Sequence, residues 1–187
     1  MKAHTARRRA SYEDLCRLPE NMTGEIINGE LVTTPRPKAR HIRVGSALGS
    51  ELFGPYDKGK DGPGGWWILD EPELHLGPHV LVPDLAGWRR ERLPALPETA
   101  WFELAPDWIC EVLSPSTARV DRVEKLPIYA AAGVRHAWLI DPDLRTLEAF
   151  ENQDGRWLLL AARENDNPIQ LPPFDAISFP LNALWAD

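Results

Sequence analysis

The sequence predicts an α/β domain built on a mixed β-sheet with helices packed against it, and three observations lead there. Asn28-Gly29 separates the alternating segments GEII and ELVTT, and this dipeptide favours the type I′ turn of an antiparallel hairpin because both positions take positive φ. The run Trp108-Ile-Cys-Glu-Val-Leu113 is nearly all apolar, as a strand covered on both faces must be. A helical segment, IYAAAG, then leads to a second apolar strand, HAWLID, which implies one right-handed parallel crossover. Antiparallel hairpins combined with a parallel crossover require a mixed sheet.

Taken in order, residues 1–10 are expected to be a mobile N-terminus and 11–187 a single domain. Ser11, followed by Glu13 and Asp14, opens a short helix ending near Pro19, with carboxylates favoured in its first turn. After the hairpin, Ile42, Leu48 and Leu52 recur near helical spacing with Val44 at the edge, predicting a helix over 39–53 despite Gly45 and Gly49. Gly54-Pro55 and DGPGG read as a loop. Two long strands follow, GWWILDEPELHLG and HVLVPDLAGWR, with Glu71 and Glu73 alternating onto one face of the first. The Pro-punctuated LPALPET is a connector. Gly133 closes the helix before HAWLID. TLEAFEN and RWLLLAA form a terminal hairpin around Gln153-Asp154-Gly155, and a Pro-rich tail ends in a turn near Leu181–Trp185.

The chain has 187 residues, 43% hydrophobic and 26% charged, with a formal net charge of -7. That suits one globular domain. No apolar run is long enough to cross a bilayer. The basic start MKAHTARRRA is followed by polar SYEDL instead of an apolar leader, so a cytoplasmic location is expected. Cys16 and Cys110 are too few and too isolated for a disulfide framework. The negative charge argues against non-specific coating of nucleic acid, which depends on many Lys and Arg contacts. It leaves room for basic contacts confined to one groove.

Two carboxylates stand in apolar surroundings. Glu111 sits inside the strand 108–113, where an acid is rarely buried unless it is paired or bound to a metal. A buried salt bridge is the alternative. Asp84 follows Val80-Leu-Val-Pro83 as the chain leaves a strand, a place where ligand and catalytic groups collect and where a capping aspartate is equally common. Lys125 follows on the way to the next helix, with Asp121 four residues before it, a spacing that usually means a surface ion pair. Converged, two carboxylates and a lysine suit a hard cation such as Mg²⁺ or Mn²⁺. Such a cation polarises a phosphate and acidifies water, while an ammonium neutralises developing charge. A backbone carbonyl beside the strand acid, here Val112, is the expected further ligand. The sequence carries no zinc-type His/Cys cluster and no phosphate-cradling glycine motif, so zinc and nucleotide cofactors are not expected.

Across GEIINGELVTTP with His41 opening a helix, Pro83-Asp84, EVLSPST at 111–117, Asp121, Lys125 and YAAAGVRHAWLIDP at 129–142, the sequence resembles the Uma family of restriction-endonuclease-like proteins within the PD-(D/E)XK superfamily. The resemblance implies a restriction-endonuclease-like fold and Mg²⁺-dependent endonuclease activity on DNA, with Mn²⁺ able to substitute. It carries Asp84 and Glu111 over as metal ligands and Lys125 as the catalytic lysine. That lysine lies on the following helix, since Leu113 occupies the position two residues after the glutamate. It also implies homodimers, and the hairpin at 146–162 with exposed tryptophans is the expected interface. Glu25, His41 and Glu73 are supporting candidates. Pro127 disfavours helical geometry at Leu126 and makes a kink or a late helix start necessary. Among the basic residues, Arg89, Arg90 and Arg92 follow Asp84, and Arg36, Lys38, Arg40 and Arg43 flank the helix at 39–53; both groups are expected to line a positive groove, with Arg89 and Arg90 touching DNA phosphates. The competing reading is a catalytically weak protein of the same fold acting as a binding or regulatory module.

Overall fold

A computed structural model describes residues 8–19 and 21–185; Arg7, which the N-terminal basic cluster includes, lies outside them. The chain begins with α1 (Tyr12–Cys16), whose Ser11 and Asp14 form a reciprocal capping box. Strands β1 (Met22–Ile27) and β2 (Glu30–Pro35) pair antiparallel across Asn28 and Gly29, at φ 53° and 80°. Helix α2 (Ala39–Leu52) buries Val44, Ala47, Leu48 and Leu52. Ile42 is exposed instead, so the apolar face centres on Val44. The helical path also continues through a wide turn, Phe53–Asp57, where a loop was expected.

The two long strands are each broken in two. β3 (Trp66–Asp70) and β4 (Glu73–Leu76) are separated at Glu71-Pro72, where Glu71 takes φ 46°. β5 (His79–Leu81) and β6 (Leu85–Arg89) are separated at Val82-Pro83-Asp84. Each half joins a different sheet. With β7 (Trp101–Phe102), a short strand just after the expected connector, the smaller sheet runs β2-β1-β5-β4-β7, and β4 and β7 are parallel.

β8 (Trp108–Val112) leads through the short helix α3 (Ala118–Val120), a wide turn (Asp121–Lys125) and α4 (Leu126–Ala131) to β9 (His136–Asp141). β8 and β9 are parallel, as the crossover requires. β10 (Thr146–Gln153) and β11 (Arg156–Glu164) form the terminal hairpin. The larger sheet is β11-β10-β9-β8-β6-β3. Two short tail strands, β12 (Pro168–Ile169) and β13 (Phe179–Pro180), pair with each other.

One face of the larger sheet packs Trp108, Cys110 and Val112 against α2 and the tail residues Phe174, Leu181 and Leu184. The other face packs Ile109 and Leu113 against Leu126 and Tyr129 of α4 and against the smaller sheet. Burial of this kind contributes roughly 25 cal/mol per Å² of apolar surface. None of the eight tryptophans is exposed. Among the described residues no helix is long and apolar enough to cross a membrane.

Arg89 and Arg90 do not lie beside Asp84, contrary to the expectation from their closeness in sequence. The five residues of β6 carry them to the far end of the strand from Asp84, roughly 16 Å away. Arg90 donates to the Asp57 carboxylate at 3.1 Å and to the carbonyls of Asp57 and Trp66 at 2.9 Å each, and its guanidinium lies over the Trp67 ring. Arg89 lies over Trp66. Arg92 pairs at 2.8 Å with the buried Asp107. Replacing Arg90 with alanine should therefore destabilise the fold by about 2 kcal/mol by stranding Asp57. Chemical denaturation measures that loss, and DNA affinity at fixed salt should not change.

Candidate active site

Both strand breaks lie where the two sheets meet, and there they deliver the acids. Asp84, in the β5–β6 break, accepts the Val112 N–H at 2.6 Å, so the strand that carries Glu111 also fixes the Asp84 carboxylate. His41, in the first turn of α2, places Nε2 3.4 Å from the other Asp84 oxygen. Glu25 points inward from β1 and accepts the Val82 N–H at 2.7 Å, tying the smaller sheet to the same break.

Lys125 is at the centre. Its Nζ lies 2.8 Å from Glu111 Oε1, 2.9 Å from Glu25 Oε1 and 3.7 Å from Asp121 Oδ1, and donates to the Val82 carbonyl at 3.4 Å. Lys125 is 2% exposed and Glu111 3%. The Tyr129 hydroxyl donates to the same Glu111 oxygen at 2.8 Å. Asp121 therefore belongs to a buried cluster and not to a surface pair. Neither its burial nor the part played by Tyr129 is visible in the sequence, because both come from tertiary packing.

The wide turn explains how Pro127 is accommodated. The Leu126 N–H reaches back five residues to the Asp121 carbonyl, loosening the helix just before the proline, which then sits in the first turn of α4, where its missing donor costs little. Such expanded turns are frequent at functional sites. This one turns both Asp121 and Lys125 inward.

The cluster gathers four carboxyl groups around one lysine. Burial pushes Asp84 up to about 6, against the opposing pull of His41, the Val112 N–H and Lys125. Burial likewise pushes Glu111 well above the carboxylate range, with Lys125 opposing and Asp121, Asp84 and Glu25 adding to the rise. Asp121 is raised for the same first reason. For Lys125, burial acts downward, but Glu111 and Glu25 override it and hold the ammonium well above its usual value. With Lys125 charged, the four carboxyls cannot all ionise cheaply. That surplus of buried negative charge fits a hard divalent cation, although among the described residues no three or more His, Cys, Asp or Glu side chains form a group that could hold a metal ion by themselves.

These groups line a cleft of about 750 Å³ whose rim carries Arg36, Lys38 and Arg40. Arg40 reaches Asp143 across the mouth at 3.3 Å. Arg43 turns away to the Ala183 carbonyl. Glu71 lines the cleft from the β3–β4 break, whereas Glu73 is engaged elsewhere, accepting from the Tyr12 hydroxyl at 2.8 Å and meeting His75 Nε2 at 2.7 Å. Glu71 and Glu73 do not share a face, because Glu71 is not in a strand. The structure thus brings together Asp84, Glu111, Lys125, Val112, Glu25 and His41, and leaves Glu73, Arg89 and Arg90 outside.

Two sheets meeting over a buried acid-and-lysine cluster define a restriction-endonuclease-like protein. A solved structure with the same fold is that of "a putative nuclease belonging to DUF820" from Anabaena variabilis ATCC 29413, with a TM-score of 0.73 and 24% identity over 94% of this chain and 97% of that one. The chain belongs to the Uma2 family: that family's model, described as "Putative restriction endonuclease", matches residues 9–182. No curated protein is similar enough to match it.

Proposed function

We propose that this protein is a metal-dependent endonuclease that hydrolyses phosphodiester bonds in DNA, with Asp84, Glu111 and Lys125 as its catalytic residues. The observation that carries the reading is the buried Lys125 ammonium, held between Glu111 and Glu25 in the cleft that Asp84 also lines. Asp84, Glu111 and the Val112 carbonyl would hold Mg²⁺ or Mn²⁺, leaving the remaining positions to water, as magnesium prefers. When bound, the ion supplies Lewis-acid polarisation of the phosphate and an acidified water. Lys125 stays protonated, so its part is to orient the attacking oxygen and offset developing charge, not to remove a proton. Tyr129 and Glu25 hold Glu111 and Lys125 in place, and His41 orients Asp84. Cys16 and Cys110 are free thiols, consistent with work in a reducing cytoplasm. A binding module with little activity would have no need of four carboxyls around a buried lysine.

The test is cleavage of plasmid and linear duplex DNA with Mg²⁺ or Mn²⁺. The wild type should cut and Asp84→Asn should not; a wild type inactive with both metals would overturn the proposal. Binding of DNA phosphates falls to the rim residues. Changing Lys38 and Arg40 together to alanine should weaken DNA binding and reduce its salt-dependence slope by roughly 0.9 for each phosphate that is no longer neutralised. A binding titration across salt concentrations reads this directly.

A further inference from the structure

The reacting groups of the candidate site lie deep in the cleft. Lys125, Glu111 and Asp121 are 2%, 3% and 4% exposed. Around them, Leu15, Leu18 and Met22 line the cleft from α1 and the start of β1, and Pro115 and Pro142 line it from the loops after β8 and β9. Arg40 and Asp143, 3.3 Å apart, cross the mouth. A cavity of about 750 Å³ has the size of sites that enclose one small organic ligand. It has room for a nucleotide or two of one strand, but not for a duplex.

The apolar side of the cleft is fastened in place. The Tyr12 hydroxyl donates to Glu73 at 2.8 Å, and the Tyr12 ring meets His75 edge-on with centroids 5.0 Å apart and Trp101 at 6.0 Å. Leu18 lies against Gly24 of β1, where any side chain would collide with it. Helix α1 is five residues long, too short to hold its shape alone, so ties of this kind keep Leu15 and Leu18 at the cleft. A duplex laid across the mouth keeps its phosphates at the level of the rim. For a phosphate to reach Asp84 and Glu111, its strand has to enter the cleft, and to enter it has to leave its partner. Its bases then meet Leu15, Leu18 and Met22, and apolar side chains of this kind receive a base taken out of the stack.

We infer that the cleft takes a single unpaired strand, with the bases beside the scissile phosphate packed on Leu15, Leu18 and Met22. The preferred DNA is single-stranded or locally open, and a perfect duplex is cut only after it opens at the site. This rests on the proposed DNA hydrolysis and adds to it the form of the substrate.

Fluorescence anisotropy with Ca²⁺ in place of Mg²⁺, another divalent cation that takes oxygen ligands, measures binding independently of cleavage. Three labelled oligonucleotides of one sequence are compared: a single strand, a full duplex and a duplex with a central mismatched bubble. The single strand and the bubble should bind at least about tenfold more tightly than the full duplex, which alone has to be opened. With Mn²⁺, cuts should map to the bubble. Tyr12→Ala with Leu18→Ala releases both ties and widens the cleft, so the preference for unpaired DNA should largely disappear. Equal affinities for duplex and bubble in the wild type, binding to none of the three, or an undiminished preference in the double variant would each overturn the inference. Equal affinities accompanied by cleavage would leave the nuclease reading standing, whereas a bubble preference without cleavage would remove that reading and keep the strand-binding one.

Discussion

Replacing Lys125 with methionine should lower the unfolding free energy by about 3–5 kcal/mol at neutral pH and cut phosphodiester cleavage at least about a hundredfold. Methionine fills the space of the lysine stem but brings no charge. Glu111 and Glu25 then lose an ammonium at 2.8 and 2.9 Å, and Asp121 loses one at 3.7 Å. Uncompensated carboxylates in a buried site are what makes breaking such a cluster costly. The sign with pH follows from the raised lysine. A lysine whose folded value lies above its unfolded one contributes stability that is complete below about 10.5 and is lost only as pH rises through the folded value. The wild type therefore keeps this contribution throughout the neutral range. In the variant the orphaned acids can take up protons, so the loss should shrink toward pH 5. Urea denaturation at pH 5 and pH 7.5 measures both; a loss below about 1 kcal/mol at pH 7.5 would show that Lys125 does not neutralise the cluster.

Asp84→Asn is expected to act in the opposite direction on stability while abolishing activity. Burial first, opposed by His41 and the Val112 N–H, brings Asp84 to about 6 from an ordinary 3.8. A carboxyl raised on folding contributes stability that is complete below its unfolded value and is lost as pH rises through its folded one. That shift corresponds to about 3 kcal/mol lost between roughly pH 4 and pH 6. Asparagine keeps an oxygen to accept the Val112 N–H and carries no charge. Metal-free Asp84→Asn should thus be more stable than wild type above pH 6 by about 3 kcal/mol, and its stability should lack the fall from pH 4 to pH 6. Equal stabilities at pH 7.5 would mean that the Asp84 carboxylate is not desolvated as described.

Much of this arrangement is legible in the sequence where the signal is local. Asn28-Gly29 specifies its turn because both residues must take positive φ, and Glu111 stands out because a carboxylate in an apolar strand needs a reason. The strand breaks are harder to read. GWWILDEPELHLG keeps its pattern through the break, and only the left-handed Glu71 and the sheet each half joins reveal it. Arg89 and Arg90 follow Asp84 closely in the chain, but an extended strand turns that short separation into distance. Asp121 and Lys125 satisfy the spacing of a surface ion pair, and only packing under the smaller sheet makes them core. Pro127 reads as a flaw until the wide turn before it is seen to aim Lys125 inward.

The nuclease activity proposed for this protein requires the cluster to bind a divalent metal ion. Isothermal titration of Mn²⁺ into the metal-free protein, repeated for Asp84→Asn and Glu111→Gln, tests it most directly. One ion should bind each wild-type subunit and raise its melting temperature by mass action, and both responses should disappear in each variant. Binding that survives in both variants, or no binding to the wild type at millimolar Mn²⁺, would mean that the cluster is not a divalent-metal site.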